Sequence, residues 1–150
     1  MKGGELDMTH TLSGIRVGRV FAVGALAFST SVVLVMLVIF GYAFALGFEA
    51  RGQPDQAQIQ RFAVAVAPWL GPVLASILSA CGAAWVAARV PGRLVLHGVL
   101  VGAVVGIGVL AIEFSQGIDI SDFAKMVPIV GAGWLASAFV VARRRSKGVA

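Results

Sequence analysis

Four charge-poor runs limit what this chain can become: Val20 to Phe48, Phe62 to Ala88, Leu94 to Ile112 and Phe123 to Ala142. Each can cross a hydrocarbon core, which needs about 20 apolar residues at 1.5 Å rise. Lipid cannot satisfy open backbone polar groups, and none of the runs alternates like a barrel strand, so each is read as a helix. The expected fold is all-α: a polytopic membrane protein with four transmembrane helices in a bundle, spanning about 20–48, 66–88, 94–113 and 123–142. With 59% apolar and 13% charged residues, the chain lies far from the roughly 25% charge of soluble domains. Residues 1–150 read as a single membrane domain.

The formal charge of +5 gains meaning from its placement. Lys2, Arg16 and Arg19 precede the first span, Arg89 and Arg93 separate the second from the third, and Arg143, Arg144, Arg145 and Lys147 follow the fourth. The other side holds Arg51, Arg61 and Lys125 against Glu49, Asp55, Glu113, Asp119 and Asp122. This Lys/Arg bias predicts both termini in the cytoplasm, with the protein integral to the membrane. The same placement explains the pI of about 10.4 without a nucleic-acid partner.

Residues 1–16, which include Gly3, Gly4, Glu5, Asp7, Ser13 and Gly14, carry no sustained apolar period and are expected to form a flexible tail. The first span is far longer than the roughly 7 to 15 apolar residues of a signal peptide and reads as an uncleaved anchor. Phe40, Phe44 and Phe48 share one of its faces, a lipid-facing or partner-facing stripe. The hydroxyls of Ser29, Thr30 and Ser31 are expected to return to carbonyls of the preceding turn. A Gly-Gln-Pro-Asp turn then leads, through a short interfacial helix starting near Pro54-Asp55, into the second span. Pro68 and Pro72 suit a membrane helix that begins near Pro68.

The third span has the most distinctive pattern. Gly98, Gly102 and Gly106 recur every fourth residue along one arc, and Glu113 returns to that arc. In water each interior glycine would cost roughly 1 kcal/mol relative to alanine, whereas in a bilayer a bare seam lets another backbone approach. In the second span, Gly71, Ala75, Ser79 and Gly82 form a second small-residue stripe, expected to partner the first in an antiparallel hairpin. A polar turn follows the third span, and Ser121 or Asp122 suits the N-cap of the fourth. Lone Cys81 reads as a small packed thiol, with no disulfide, redox or zinc pattern. Trp134 lies near the expected bilayer centre and reads as packing. The fragments Gly82-Ala-Ala-Trp85 and Gly131-Ala-Gly-Trp134 raise the idea of a repeated hairpin.

Few residues are candidates for chemistry. Glu113 is the candidate for an ion or proton route, because an ionisable group on a packed membrane helix marks one by default. Arg89, Arg93 and His97, at the cytoplasmic ends of two spans, are candidates for lipid headgroup contact. No metal or cofactor is expected: HExxH, GxSxG, Walker and dinucleotide motifs are absent, and no paired histidines suit haem. Ser76, Ser79 and Ser137 lack a neighbouring base, so an enzyme is not expected.

The segment Gly82-Ala-Ala-Trp-Val-Ala-Ala-Arg89-Val-Pro-Gly-Arg-Leu-Val-Leu-His97-Gly98-Val-Leu-Val-Gly102 resembles small four-span bacterial inner-membrane proteins of uncharacterised function. The resemblance implies the four-helix architecture and assigns no activity. Small multidrug transporters differ by an acidic residue in their first helix, and dual-topology fluoride channels by their lack of a charge bias. The expected function is that of a non-enzymatic accessory or structural subunit, or a homo-oligomer, whose partners are the lipid bilayer and other membrane subunits or copies of itself. The alternative is a small oligomeric transporter or channel for ions or small solutes that uses Glu113.

Overall fold

The computed structural model describes residues 17–89, 94–117 and 120–146. They form α1 (Val17–Glu49), α2 (Gln56–Arg89), α3 (Leu94–Gln116), the short α4 (Ile120–Ala124) and α5 (Met126–Ser146), with no strand among the described residues. Four segments are long and apolar enough to cross a membrane: α1, α2, 94–115 in α3, and 122–146 across α4 and α5. The all-α, four-span fold class read from the sequence is the one observed. The expected tail at residues 1–16, the loop position Arg93 and the loop carboxylate Asp119 lie outside the described residues.

Helix ends follow local chemistry. Asp55 caps α2, its Oδ1 accepting the Ala57 N–H at 2.9 Å, which places the helix start where Pro54-Asp55 predicts it. At the end of α1 the Gly52 N–H reaches back to the Gly47 carbonyl at 3.3 Å, and Arg51 takes φ 49° in the left-handed position where glycine usually sits. Gly117, with φ 99°, ends α3 in the expected way.

One expected break is missing. The short interfacial helix and the second span are a single helix of 34 residues, with Pro68 and Pro72 inside it. Each proline removes one donor from the ladder, and the Ser76 hydroxyl donates to the Pro72 carbonyl at 2.8 Å within this stretch. The expected N-cap also shifts: Asp122 lies inside α4, and its carboxylate pairs with Lys125 at 2.8 Å.

Contacts between elements give the layout. α2 and α3 touch each other, and both touch α1 and α5, while α1 and α5 do not meet among the described residues. In cross-section the helices form a rhombus with α2 and α3 across its short diagonal. Gly82 lies opposite Val101, and Ala75 shares a cluster with Val105, so α2 and α3 run antiparallel as expected. Val17, Arg89, Leu94 and Ser146 come together at one end: Val20 packs with Val86 and Val101, and Arg144 Nη2 donates to the Ala88 carbonyl at 2.7 Å.

The glycine seam takes a different partner from the expected one. A Cβ built on Gly98 would stand 2.5 Å from the Gly133 carbonyl oxygen and closer still to Ser137 Oγ; one on Gly102 would stand 2.8 Å from Val130 Cα. One on Gly106 would meet Met126 Cε at 2.9 Å. The seam therefore closes chiefly on α5, and α2 supplies Ser79 beside it. Ser79 Oγ donates to the Ile129 carbonyl at 3.1 Å, and Ser137 Oγ to the carbonyls of Gly133 and Trp134. Both hydroxyls are fully buried and bonded, which avoids the cost of orphan polar groups in an apolar interior.

Cys81 is exposed on the outside of the bundle, so the packed-thiol expectation does not hold. Trp134 is also exposed. Gly82 is crowded by Val23 while Gly131 has nothing within 4 Å of a built Cβ, so the two similar fragments play different packing roles.

Candidate functional site

The bundle is tight toward its basic end and open toward the other. α1 and α3 run side by side and approach at Gly24, where a Cβ would lie 2.6 Å from Val104 Cγ1, and at Gly108, which receives the Phe28 ring. Beyond Phe28 the small residues stop, because α1 continues as Val32-Val33-Leu34-Val35-Met36. Branched and long side chains hold helices further apart than glycine does. A cleft of about 360 Å³ opens there among α1, α2 and α3.

Phe28 and Ser31 form its floor, Val35, Met36 and Ile39 one wall, and Val109 and Ile112 another. Ser31 Oγ is occupied locally, donating to the Phe28 carbonyl at 2.6 Å, as expected for this hydroxyl. Ala67, Pro68, Gly71 and Pro72 of α2 complete the lining. Because Pro72 has no N–H, it cannot serve the Pro68 carbonyl in the helix ladder.

Glu113 and Lys125 close the outer end of the cleft. Lys125 Nζ lies 2.8 Å from Glu113 Oε1 and 2.8 Å from Asp122 Oδ1. The side chains are 26% exposed for Lys125, 24% for Glu113 and 10% for Asp122. Lys125 thus sits between two carboxylates in a cluster partly screened from water. Glu113 is thus neither a bare carboxylate in hydrocarbon nor a fully wet one. It is held by a lysine twelve residues later in the chain.

The sequence-derived residues separate into groups. Gly98, Gly102 and Gly106 make close backbone approaches, Gly82 packs on Val23 and Val101, and Ala75 and Ser79 are fully buried. Gly71 departs from the packing expectation: nothing lies within 4 Å of its built Cβ, because it borders the cleft. Arg89 stays exposed at the basic end with its guanidinium 4.3 Å above the Trp85 ring. His97 does not fit the headgroup expectation, since it is 0% exposed. It continues the Val101 and Val105 stripe one turn further, and that stripe faces the interior.

Lys125 was legible only as a charge. Its pairing with Asp122 has the i, i+3 spacing that could have shown it. Gly24, Ala27 and Ser31, all buried in α1, have a small-residue spacing that could likewise have marked the face toward α3.

A second feature lies beyond the cleft. The level of Glu113 corresponds to Met36–Ile39 on α1 and Ala67–Pro68 on α2. About ten further residues of each helix, ~15 Å at 1.5 Å per residue, extend past it as a two-helix hairpin. Tyr42 and Phe62 stack there with centroids 3.9 Å apart, and Gln58 Nε2 donates to Tyr42 Oη at 3.3 Å. Phe40, Phe44 and Phe48 point outward along its edge, 67%, 68% and 80% exposed. Set against protein-family models, curated proteins and solved structures, the chain matches none of them.

Proposed function

We propose that this protein is a non-enzymatic integral membrane component that works by association, as an accessory or structural subunit of a membrane complex or as a homo-oligomer. Its setting is a bacterial cytoplasmic membrane, with the basic end inward. Arg19, Arg89, Arg143, Arg144 and Arg145 gather at the end where Val17 and Ser146 lie, and the positive-inside rule assigns that end to the cytoplasm.

The overhanging hairpin carries the association reading. α3 and α5, with 23 and 21 residues, are ~34 and ~31 Å long and match a ~30 Å hydrocarbon core. α1 and α2, with 33 and 34 residues, are ~50 Å long. In a bilayer matched to the shorter pair, the edge formed by Phe40, Phe44 and Phe48 stands at or beyond the outer interface. A contiguous apolar edge at that height favours cover by protein. The glycine seam of α3 is occupied inside the bundle, which leaves this aromatic edge as a surface for a partner.

The test is the mass of the protein in a mild detergent, by light scattering, alongside cross-linking of Phe44→Cys in a Cys81→Ser background. A dimer or a stable heteromeric complex that Phe44→Glu dissociates supports the reading. A monomer with nothing bound and no cross-link in membranes overturns it. The second reading, a small transporter or channel for ions or small solutes, draws on the cleft that ends at Glu113. Flux in proteoliposomes abolished by Glu113→Gln supports that reading, and no flux counts against it.

A further inference from the structure

We infer that the cleft among α1, α2 and α3 binds a neutral lipophilic alcohol, whose hydroxyl donates to the Pro68 carbonyl and whose hydrocarbon lies toward Phe28. This goes beyond the association reading: it uses the cleft and not the hairpin edge, and takes nothing from the charges around Glu113.

The acceptor follows from the spacing of two prolines. A helical carbonyl is aimed along the axis at the N–H four residues further on. For Pro68 that residue is Pro72, which has no N–H and whose ring presses on the oxygen it would have bonded. Pro68, Gly71 and Pro72 all line the cleft. Gly71 offers no side chain to cover the carbonyl, and nothing lies within 4 Å of its built Cβ. Among the described residues, two lining side chains can donate, and both are engaged: Ser31 Oγ with the Phe28 carbonyl, and Lys125 Nζ with Glu113 and Asp122. Ser76, one turn inward, donates to the Pro72 carbonyl. In hydrocarbon a backbone acceptor without a donor is costly, so a ligand that brings one replaces what the helix lost.

Size and lining narrow the ligand. A volume of about 360 Å³ falls within the usual range for small-molecule sites and holds roughly a dozen groups of ~30 Å³. Phe28, Met36 and Val109 give the hydrocarbon apolar walls. A charged head would exchange its hydration for one neutral carbonyl. An amide would bring a carbonyl of its own to a lining whose donors are in use. A hydroxyl is the smallest neutral donor, and it meets the Pro68 oxygen with the least to desolvate.

The experiment is nuclear magnetic resonance of the full chain in phosphatidylcholine nanodiscs, with isotope labels in the proline carbonyls and the tryptophan nitrogens. Only Pro68 is followed by a tryptophan, so the Pro68–Trp69 peptide alone gives a correlated signal. The expected result is a saturable downfield movement of that carbonyl with decanol. Decyl methyl ether produces no such movement and displaces decanol only at roughly fivefold higher concentration or more. Pro72→Ala supplies the missing N–H: the carbonyl then resonates downfield before any probe is added, and decanol moves it no further. Gly71→Leu fills the cleft without displacing a neighbour and abolishes the response, with thermal melting retained.

A Pro68 resonance that decanol does not move in the parent protein overturns the proposal and leaves a carbonyl served by water only. An equal response to the ether overturns it too, as does a response that persists in Gly71→Leu. Should Pro72→Ala fail to fold, the pair of probes and Gly71→Leu still decide the matter. Adding a monoacylglycerol separates two sources of the same chemistry. Downfield movement with it assigns the site to a membrane lipid with a free hydroxyl, and movement with decanol alone assigns it to a free alcohol. Neither outcome bears on the hairpin reading, whose readout is mass and cross-linking.

Discussion

Adding one methyl group at successive glycines should produce a graded loss of stability that follows what stands behind each site. At Gly98 the new Cβ would lie 2.5 Å from the Gly133 carbonyl oxygen, against 3.4 Å or more for ordinary contact. The obstacle is backbone on both sides of the α3–α5 seam, so relief requires the helices to part. Overpacking of this kind costs typically 1–3 kcal/mol, and alanine's better helix propensity returns roughly 1 kcal/mol at most. Gly98→Ala should therefore destabilise by about 1–2 kcal/mol. Gly102→Ala faces Val130 Cα at 2.8 Å and should behave similarly. Gly106→Ala meets the terminal methyl of Met126, which can swing aside, and should fall within about 0.5 kcal/mol of the parent protein. Gly131→Ala meets nothing within 4 Å and should be neutral or stabilising by up to roughly 1 kcal/mol. Removing the Ser137 hydroxyl in a Gly98→Ala background should restore little, because the Gly133 carbonyl remains. Reversible unfolding by denaturing detergent, followed by helical circular dichroism, reads the series. Gly98→Ala as stable as Gly131→Ala would refute the seam between α3 and α5.

Three further outcomes follow from the same geometry. Ser79→Ala should cost about 1 kcal/mol in the same unfolding assay by removing the buried bond to the Ile129 carbonyl; no change would mean that bond is not formed. A double-mutant cycle of Lys125→Ala with Glu113→Gln should show a coupling of about 0.5–1 kcal/mol, the range for a partly exposed ion pair; additive single effects would exclude the contact. Single cysteines placed by Val17→Cys and Ser146→Cys in a Cys81→Ser background should react with an impermeant maleimide from the same side of sealed vesicles, and Arg51→Cys from the opposite side. Val17→Cys and Ser146→Cys reacting from opposite sides would overturn the four-span layout.

How much of this was legible beforehand differs by residue. Gly98, Gly102 and Gly106 announced a close helix contact by their spacing alone, and Asp55 announced its own helix start. Ala75 and Ser79 proved to be interior positions as their stripe implied. Gly71 belongs to the same stripe by spacing, yet borders an opening, because the neighbouring helices have already diverged at its height. Glu113 stood out as an ionisable residue near the end of an apolar helix, but Lys125 twelve residues later gave no sign of being its partner. Their meeting depends on where α4 sets Lys125 against the end of α3, which no pattern within either segment encodes.

The chain alone determined the number of spans, their approximate limits, the charge asymmetry between the two ends, and which face of α3 permits close approach. These are properties of length, composition and helical period, and each acts within a single segment. Tertiary structure decided that the glycine seam meets α5 and not the stripe on α2, that His97 turns inward, that Cys81 turns outward, and that a cleft opens above Phe28. The physical reason is the solvent: acyl chains are as apolar as the packed interior, so amphipathic patterning, which separates inside from outside in water, carries little information here. Small residues on every span make several helix pairings sterically allowed, and only the joint fit of all four selects among them.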